Sequence, residues 1–259
     1  MQTTIYTDGV NIVLPLLTFL VTLLGVQKFI VEPRLEARIS RRKYATALYL
    51  ACKELSVHLG HIHERLNSSD SNVGNAMKKI PRYDNHGDAA WFTKEGYFTM
   101  ITAYKIAAVS AWLRAYQNEL IFSSYPETQK FLKSLYFGAQ NLKLAFSTGT
   151  CLWYYYFDAI GERLIESSEK GQATITFSKF CAYYIDESKF LLFFEQVHMY
   201  VWFLGNRESK YLATIPEIKR RLQELISLLE DKNLLPGFKV ERPDTAVGEL
   251  EKAHEAGWK

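Results

Sequence analysis

An apolar stretch from Val10 to Val31, followed at once by a cluster of basic residues, constrains this chain more than any other feature. No charge interrupts Ile12 to Val26, and Phe29, Ile30 and Val31 carry the run past Gln27 and Lys28. That makes about 20 residues, roughly what a helix needs to cross a hydrocarbon core. Behind it stand Arg34, Arg38, Arg41, Arg42 and Lys43, diluted only by Glu32 and Glu36, while Asp8 is the single charged side chain ahead of it. An excess of Lys and Arg within a few turns of a span marks its cytoplasmic side. The sequence therefore predicts a single-pass anchor over residues 10–31 in the plasma (inner) membrane. Residues 1–9 lie outside, and the bulk of the chain lies in the cytoplasm. Lys28 snorkels to the headgroups, and Arg34, Arg38, Arg41, Arg42 and Lys43 meet the membrane surface, where anionic lipid attracts them.

Two rival readings of the stretch are weaker. A secretory signal needs a basic start and a small-residue cleavage site. Met1 to Val10 holds no Lys or Arg, and Val26 to Arg34 holds no Ala-x-Ala pattern. A buried core helix would account for Pro15 and Gly25, but Pro15 falls early enough in a span to be tolerated.

About 225 residues follow the anchor, enough for one large domain with a well-buried core. The net charge of +3 is small, and much of it sits beside the apolar run, so no nucleic-acid partner is expected. Cys52, Cys151 and Cys181 are widely spaced in apolar settings without a CxxC pair. That suits buried thiols in a reducing compartment.

Helical periodicity dominates the rest, and the expected class is all-α: an anchor followed by a bundle of about four to five helices over residues 32–235. Ala45, Leu48, Cys52, Leu55 and Leu59 line one face of a first helix from Arg38 to Leu66, with Pro33 as its kink or restart. Residues 67–92 are rich in Ser, Asn, Asp and Gly and read as a long loop. A second helix runs from Thr93 to Phe122. A third follows the capping box Ser124-Tyr-Pro-Glu127 and continues to Ser167, disturbed at Ser147-Thr-Gly-Thr150. Glu169 to Thr176 reads as a polar turn. A fourth helix spans Ser178 to Leu204, and a last region, Ser209 to Asn233, restarts at the box Thr214-Ile-Pro-Glu217 with Leu222, Leu225, Ile226 and Leu229 inward. Residues 236–259 form a polar tail. No strand alternation stands out, and the missing βαβ pattern excludes nucleotide-binding sheet folds.

Three constellations carry possible chemistry. Glu54, His58 and His61 are spaced by four and three, so they share a helical face and have the donor types that zinc or iron accept. The helix is otherwise charged there, which places these side chains on a solvated face. Glu195-Gln-Val-His198 has the Glu-x-x-His form of di-iron bundles, and Asp158 and Glu162 could add carboxylates. Such a centre needs a second motif, and the other one, Glu251 to His254, lies in the tail. Glu195 and His198 are therefore expected as polar groups bonded within the bundle. The run Trp153-Tyr-Tyr-Tyr-Phe157 points in every direction around a helix, so it reads as core, with Trp112 and Trp153 both buried. No P-loop, nucleophile elbow or His-Glu-x-x-His occurs. The expected function is protein–protein interaction or homo-oligomeric assembly at a membrane, without catalysis or a cofactor. A metal-binding enzyme or sensor and a lipid or apolar-ligand binder are the alternatives.

Overall fold

The computed structural model describes residues 19, 21–22, 25–28, 32–67, 97–121, 126–149, 152–168, 171–186, 194–205 and 209–230. Most of the apolar run at 10–31, the expected loop at 67–92 apart from Asn67, Ser124 of the first capping box and the tail lie outside them. Among the described residues, no helix is long and apolar enough to cross a membrane. The chain divides into two compact units, Met1–Lys43 and Tyr44–Lys259. In the first, residues 19, 21–22 and 25–26 are helical, and Phe19, Val21 and Val26 are exposed.

The described residues are mostly helical, as the periodicity predicts. Helix α1 is Glu32–Asn67, α2 is Tyr97–Ile121, α3 is Pro126–Gly149 and α4 is Tyr154–Glu162. A hairpin follows, β1 at Ile165–Ser168 and β2 at Gly171–Thr174. Helices α5 at Phe177–Asp186, α6 at Glu195–Gly205, α7 at Ser209–Leu212 and α8 at Thr214–Glu230 complete the order.

The predicted face of α1 is fully buried: Ala45, Leu48, Cys52, Leu55 and Leu59 all lie in the core. Burial pushes the Cys52 thiol up to about 12 and that of half-buried Cys181 up to about 11, so both are poor nucleophiles. Helix α2 is the central element and packs against α3, α4, α5 and α6. Met100, Ala103, Ile106, Ala107, Val109, Leu113 and Tyr116 are buried on it, so it shows no single apolar stripe. Trp112, expected inside, is half-buried and packs on the core edge at a tilt to Tyr44. Helix α8 is cleanly amphipathic. Leu222, Leu225, Ile226 and Leu229 are buried, while Glu217, Arg220, Arg221 and Glu224 form an ion-pair mesh outside. Its start departs from the expected capping box. The Thr214 hydroxyl donates to the Tyr211 carbonyl at 2.6 Å, and the Glu217 carboxylate turns to Arg220 and Arg221.

Two close approaches depend on glycine. A Cβ on Gly161 of α4 would lie 2.7 Å from the Ala111 backbone nitrogen and 2.8 Å from the Ser110 carbonyl carbon on α2. A Cβ on Gly138 of α3 would lie 2.6 Å from Leu225 Cδ2 on α8.

The hairpin corrects the polar-turn expectation at Glu169 to Thr176 and shortens the third helix. Its strands pair antiparallel, with Ile165 opposite Thr174 and Ser168 opposite Gly171. Four-residue strands are too short to show an alternation, and an isolated hairpin is marginal in water. This one is held by its ends: the Ile175 amide donates to the Leu164 carbonyl, and the Tyr104 hydroxyl on α2 donates to the Ile175 carbonyl, each at 2.9 Å. In place of one helix from Ser178 to Leu204, the described residues give α5 and α6 with Phe194 in a turn before the latter.

Candidate functional site

The first metal candidate is taken apart by its neighbours on α2. Lys105 Nζ bonds Glu54 Oε2 at 2.9 Å, and His58 Nε2 lies 2.7 Å from Thr102 Oγ1. His58 is buried rather than solvated, because α2 offers it a hydroxyl at the depth where the helices meet. His61 is half-buried. In the second candidate, His198 is fully buried with Nδ1 3.4 Å from the Tyr184 hydroxyl, whose pKa burial drives upward. Glu195 is half-buried at the first turn of α6. Asp158 bonds Lys143 at 2.6 Å, and Glu162 pairs with Arg114, so neither carboxylate joins His198. Among the described residues, no three His, Cys, Asp or Glu side chains gather as a metal would need. Of the basic collar, Lys28, Arg42 and Lys43 are exposed. Arg34, Arg38 and Arg41 lie on α1 with side chains outside the described residues.

The aromatic run behaves otherwise than expected. Only Phe157 enters the core, stacked at a tilt on Phe146, with Ser110 Oγ donating to its carbonyl at 2.5 Å. Trp153 is 65% exposed, Tyr155 79% exposed, and Tyr156 is exposed as well. A run that points all round a helix reaches the core at one position only, because α4 lies on the outside of α2 and α3.

These rings are nevertheless held. Trp153 occupies the N-cap of α4 in an extended conformation, with φ −67° and ψ 150°, and makes no side-chain cap. Its carbonyl accepts from the Tyr156 and Phe157 amides at 2.9 and 3.2 Å, and its amide donates to Gln196 Oε1 at 2.8 Å. The Tyr154 hydroxyl donates to Gln140 Oε1 on α3, and Lys143 Nζ sits 5.1 Å above the Tyr154 ring. Partial burial, with the nearby Asp158 charge adding to it, raises the Tyr154 phenol above its ordinary pKa.

Gln140 links this segment to the outer face of α3. Tyr136, Phe137 and Leu144 are exposed there, Phe137 by 61%. A depression of about 370 Å³ is lined by Gln129, Leu132, Lys133, Tyr136, Phe137 and Gln140. Among the described residues from Tyr44 onward, seven large apolar side chains are exposed, and six of them lie on α3 or within residues 153–156; Ile121 is the seventh. Exposed apolar residues scattered singly need no explanation, whereas a concentration of them marks an interaction surface. Sequence reading missed the α3 half of it. The signal was present, since Tyr136, Phe137 and Leu144 fall out of phase with the buried Phe131, Leu135, Leu142 and Phe146.

No protein-family model, curated protein or solved structure matches this chain. Its own geometry therefore carries the functional reading.

Proposed function

We propose that this chain is a membrane-anchored, cytoplasm-facing helical domain that works by binding another protein through the aromatic face of α3 and the first turn of α4. The carrying observation is the concentration of exposed Trp, Tyr and Phe at one place. Trp and Tyr are the side chains that most often dominate binding energy at protein interfaces. Their fixed backbone lowers the ordering cost that binding imposes. A second support is Trp153 at an N-cap, where Ser, Thr, Asp or Asn would stabilise the helix better. Stability alone gives no reason for tryptophan there.

The anchor rests on the apolar run at 10–31 and the basic residues behind it, together with the exposed Phe19, Val21 and Val26. The depression on α3 favours a protein over a small apolar ligand. All six of its lining residues come from one helix, so it walls a ligand on one side only.

Affinity purification of the full-length chain from its membranes, beside a Phe137→Ser/Tyr155→Ser variant, tests the reading. A protein retained by the first and lost by the second, with helical content unchanged, is the expected result. Equal retention by both, or no retained protein at all, refutes it. Orientation is tested separately by a reporter fused after Lys259 that is active only in the cytoplasm. A reporter active only outside would overturn the topology.

A further inference from the structure

We infer that the occupant of this face is a segment of another protein that presents carboxylates beside its apolar side chains, and not a second copy of this chain; the inference rests on the protein-binding reading above.

Charge is the deciding observation. Helix α3 carries three lysines and one carboxylate, Glu127. Lys143 is already offset by Asp158 at 2.6 Å. Lys130 and Lys133 are exposed, Lys133 lines the depression, and neither side chain has a partner among the described residues. Two cations without a partner among the described residues therefore stand on the helix of Tyr136 and Phe137, Lys133 about one turn before the rings and Lys130 about two. A carboxylate-bearing segment would pair with them as its apolar side chains cover the rings, which steers encounter and fixes register.

The same charges argue against self-association. A two-fold dimer built on this face would bring the patch against itself and gather Lys130 and Lys133 of both copies, four cations, within one interface. A bilayer fits poorly for a different reason. Lys133, Gln129 and Gln140 line the depression beside its apolar residues, and sinking an ammonium and two polar amides into hydrocarbon is costly. A protein segment can bring polar groups of its own to these positions, and Gln140 already accepts from Tyr154.

The probe is a displayed library of helical peptides, about 18 residues long, with apolar residues fixed at i, i+3, i+4 and i+7. Its other positions vary among Asp, Glu, Lys, Arg, Gln and Ser. Selection runs against the full-length chain in a nanodisc of zwitterionic lipid. Enriched peptides should carry more Asp and Glu than Lys and Arg. They should bind a Lys130→Glu/Lys133→Glu variant about tenfold more weakly at low salt, with the difference shrinking as salt rises. Enrichment of neutral or basic peptides, or unchanged binding to the charge-reversed variant, overturns the inference while leaving the face intact. Peptides that bind Phe137→Ser/Tyr155→Ser as tightly as the parent overturn the protein-binding reading itself. Two further outcomes would also overturn the inference. A dimer in sedimentation that Phe137→Ser abolishes would make the occupant a second copy. Preferential docking of this face onto phosphatidylserine vesicles, lost on charge reversal, would make it the bilayer.

Discussion

Replacing Trp153 by Ser should leave stability nearly unchanged, although tryptophan is the largest side chain in the protein's repertoire. About a third of Trp153 is covered, since it is 65% exposed. A third of roughly 250 Å², at about 25 cal/mol per Å², is about 2 kcal/mol as an upper bound. Against this, serine at the N-cap bonds an orphan amide of the first turn and contributes about 0.5–2 kcal/mol that Trp153 does not supply. The backbone bond from residue 153 to Gln196 survives the exchange. The two terms offset to within about 1 kcal/mol, a shift of only a few degrees in Tm for a domain of this size. Four residues on, Phe157 is fully buried, and Phe157→Ala should cost about 3–5 kcal/mol, roughly 10 °C or more. Thermal melts of the two variants followed by circular dichroism make the comparison. If Trp153→Ser melts as low as Phe157→Ala, then Trp153 is a core residue and the exposed-face reasoning fails. If Trp153→Ser melts like the parent yet loses the retained partner, the residue serves binding at no gain to the fold.

Gly161→Ala should destabilise by about 1–3 kcal/mol or more, because its Cβ would meet α2 backbone, which cannot step aside. Gly60→Ala should instead be neutral or mildly stabilising in the same urea titrations, since the neighbour at 2.8 Å is the mobile Lys219 Nζ and alanine favours the helix. Glu54→Ala should cost about 1–3 kcal/mol by leaving buried Lys105 without its carboxylate, while Lys105→Met should be close to neutral; equal losses would show that the ion pair itself stabilises the fold. Bonds from Arg220 hold the Glu217 carboxyl down at about 2 against an opposing desolvation, with Arg221 adding to the lowering. A depressed folded pKa contributes stability above the unfolded value near 4.5 that is lost as pH falls toward 2. An NMR titration should therefore find Glu217 titrating well below the other carboxylates, and a midpoint near 4.5 would show that the α8 mesh does not form.

What was legible in the sequence follows from which residues obey one period. Helices with a single wet face could be read directly: the buried stripe from Ala45 to Leu59 and the Leu222 to Leu229 face of α8 stand as predicted. Central α2 hides its inward side because α3, α4, α5 and α6 pack on it and α1 bonds to it, so its burial is nearly continuous and carries no phase. The hairpin escaped because its stabilising bonds come from Leu164, Ile175 and distant Tyr104, none of which marks a strand locally. The site was misread for a physical reason. Apolar character at Trp153 to Tyr156 predicts burial, yet a short outer helix turns only part of its circumference inward, and within the run that part holds Phe157 alone. His58 erred in the opposite direction, because the charged residues around it gave no sign that Thr102 waits inside.

The bonds from Glu54 to Lys105 and from His58 to Thr102 bear on how α1 is aligned against α2. Numbers rise along one helix as they fall along the other, so the two run antiparallel at this seam. Leu, Ala and Ile side chains alone would permit α1 to slide by a turn, about 5.4 Å, with little change in apolar contact. Such a slide would bring Lys105 level with Leu50 or Ala51 and strand its ammonium among aliphatic carbons. Only one alignment satisfies both bonds together, so the pair sets where along α2 the long first helix stops sliding.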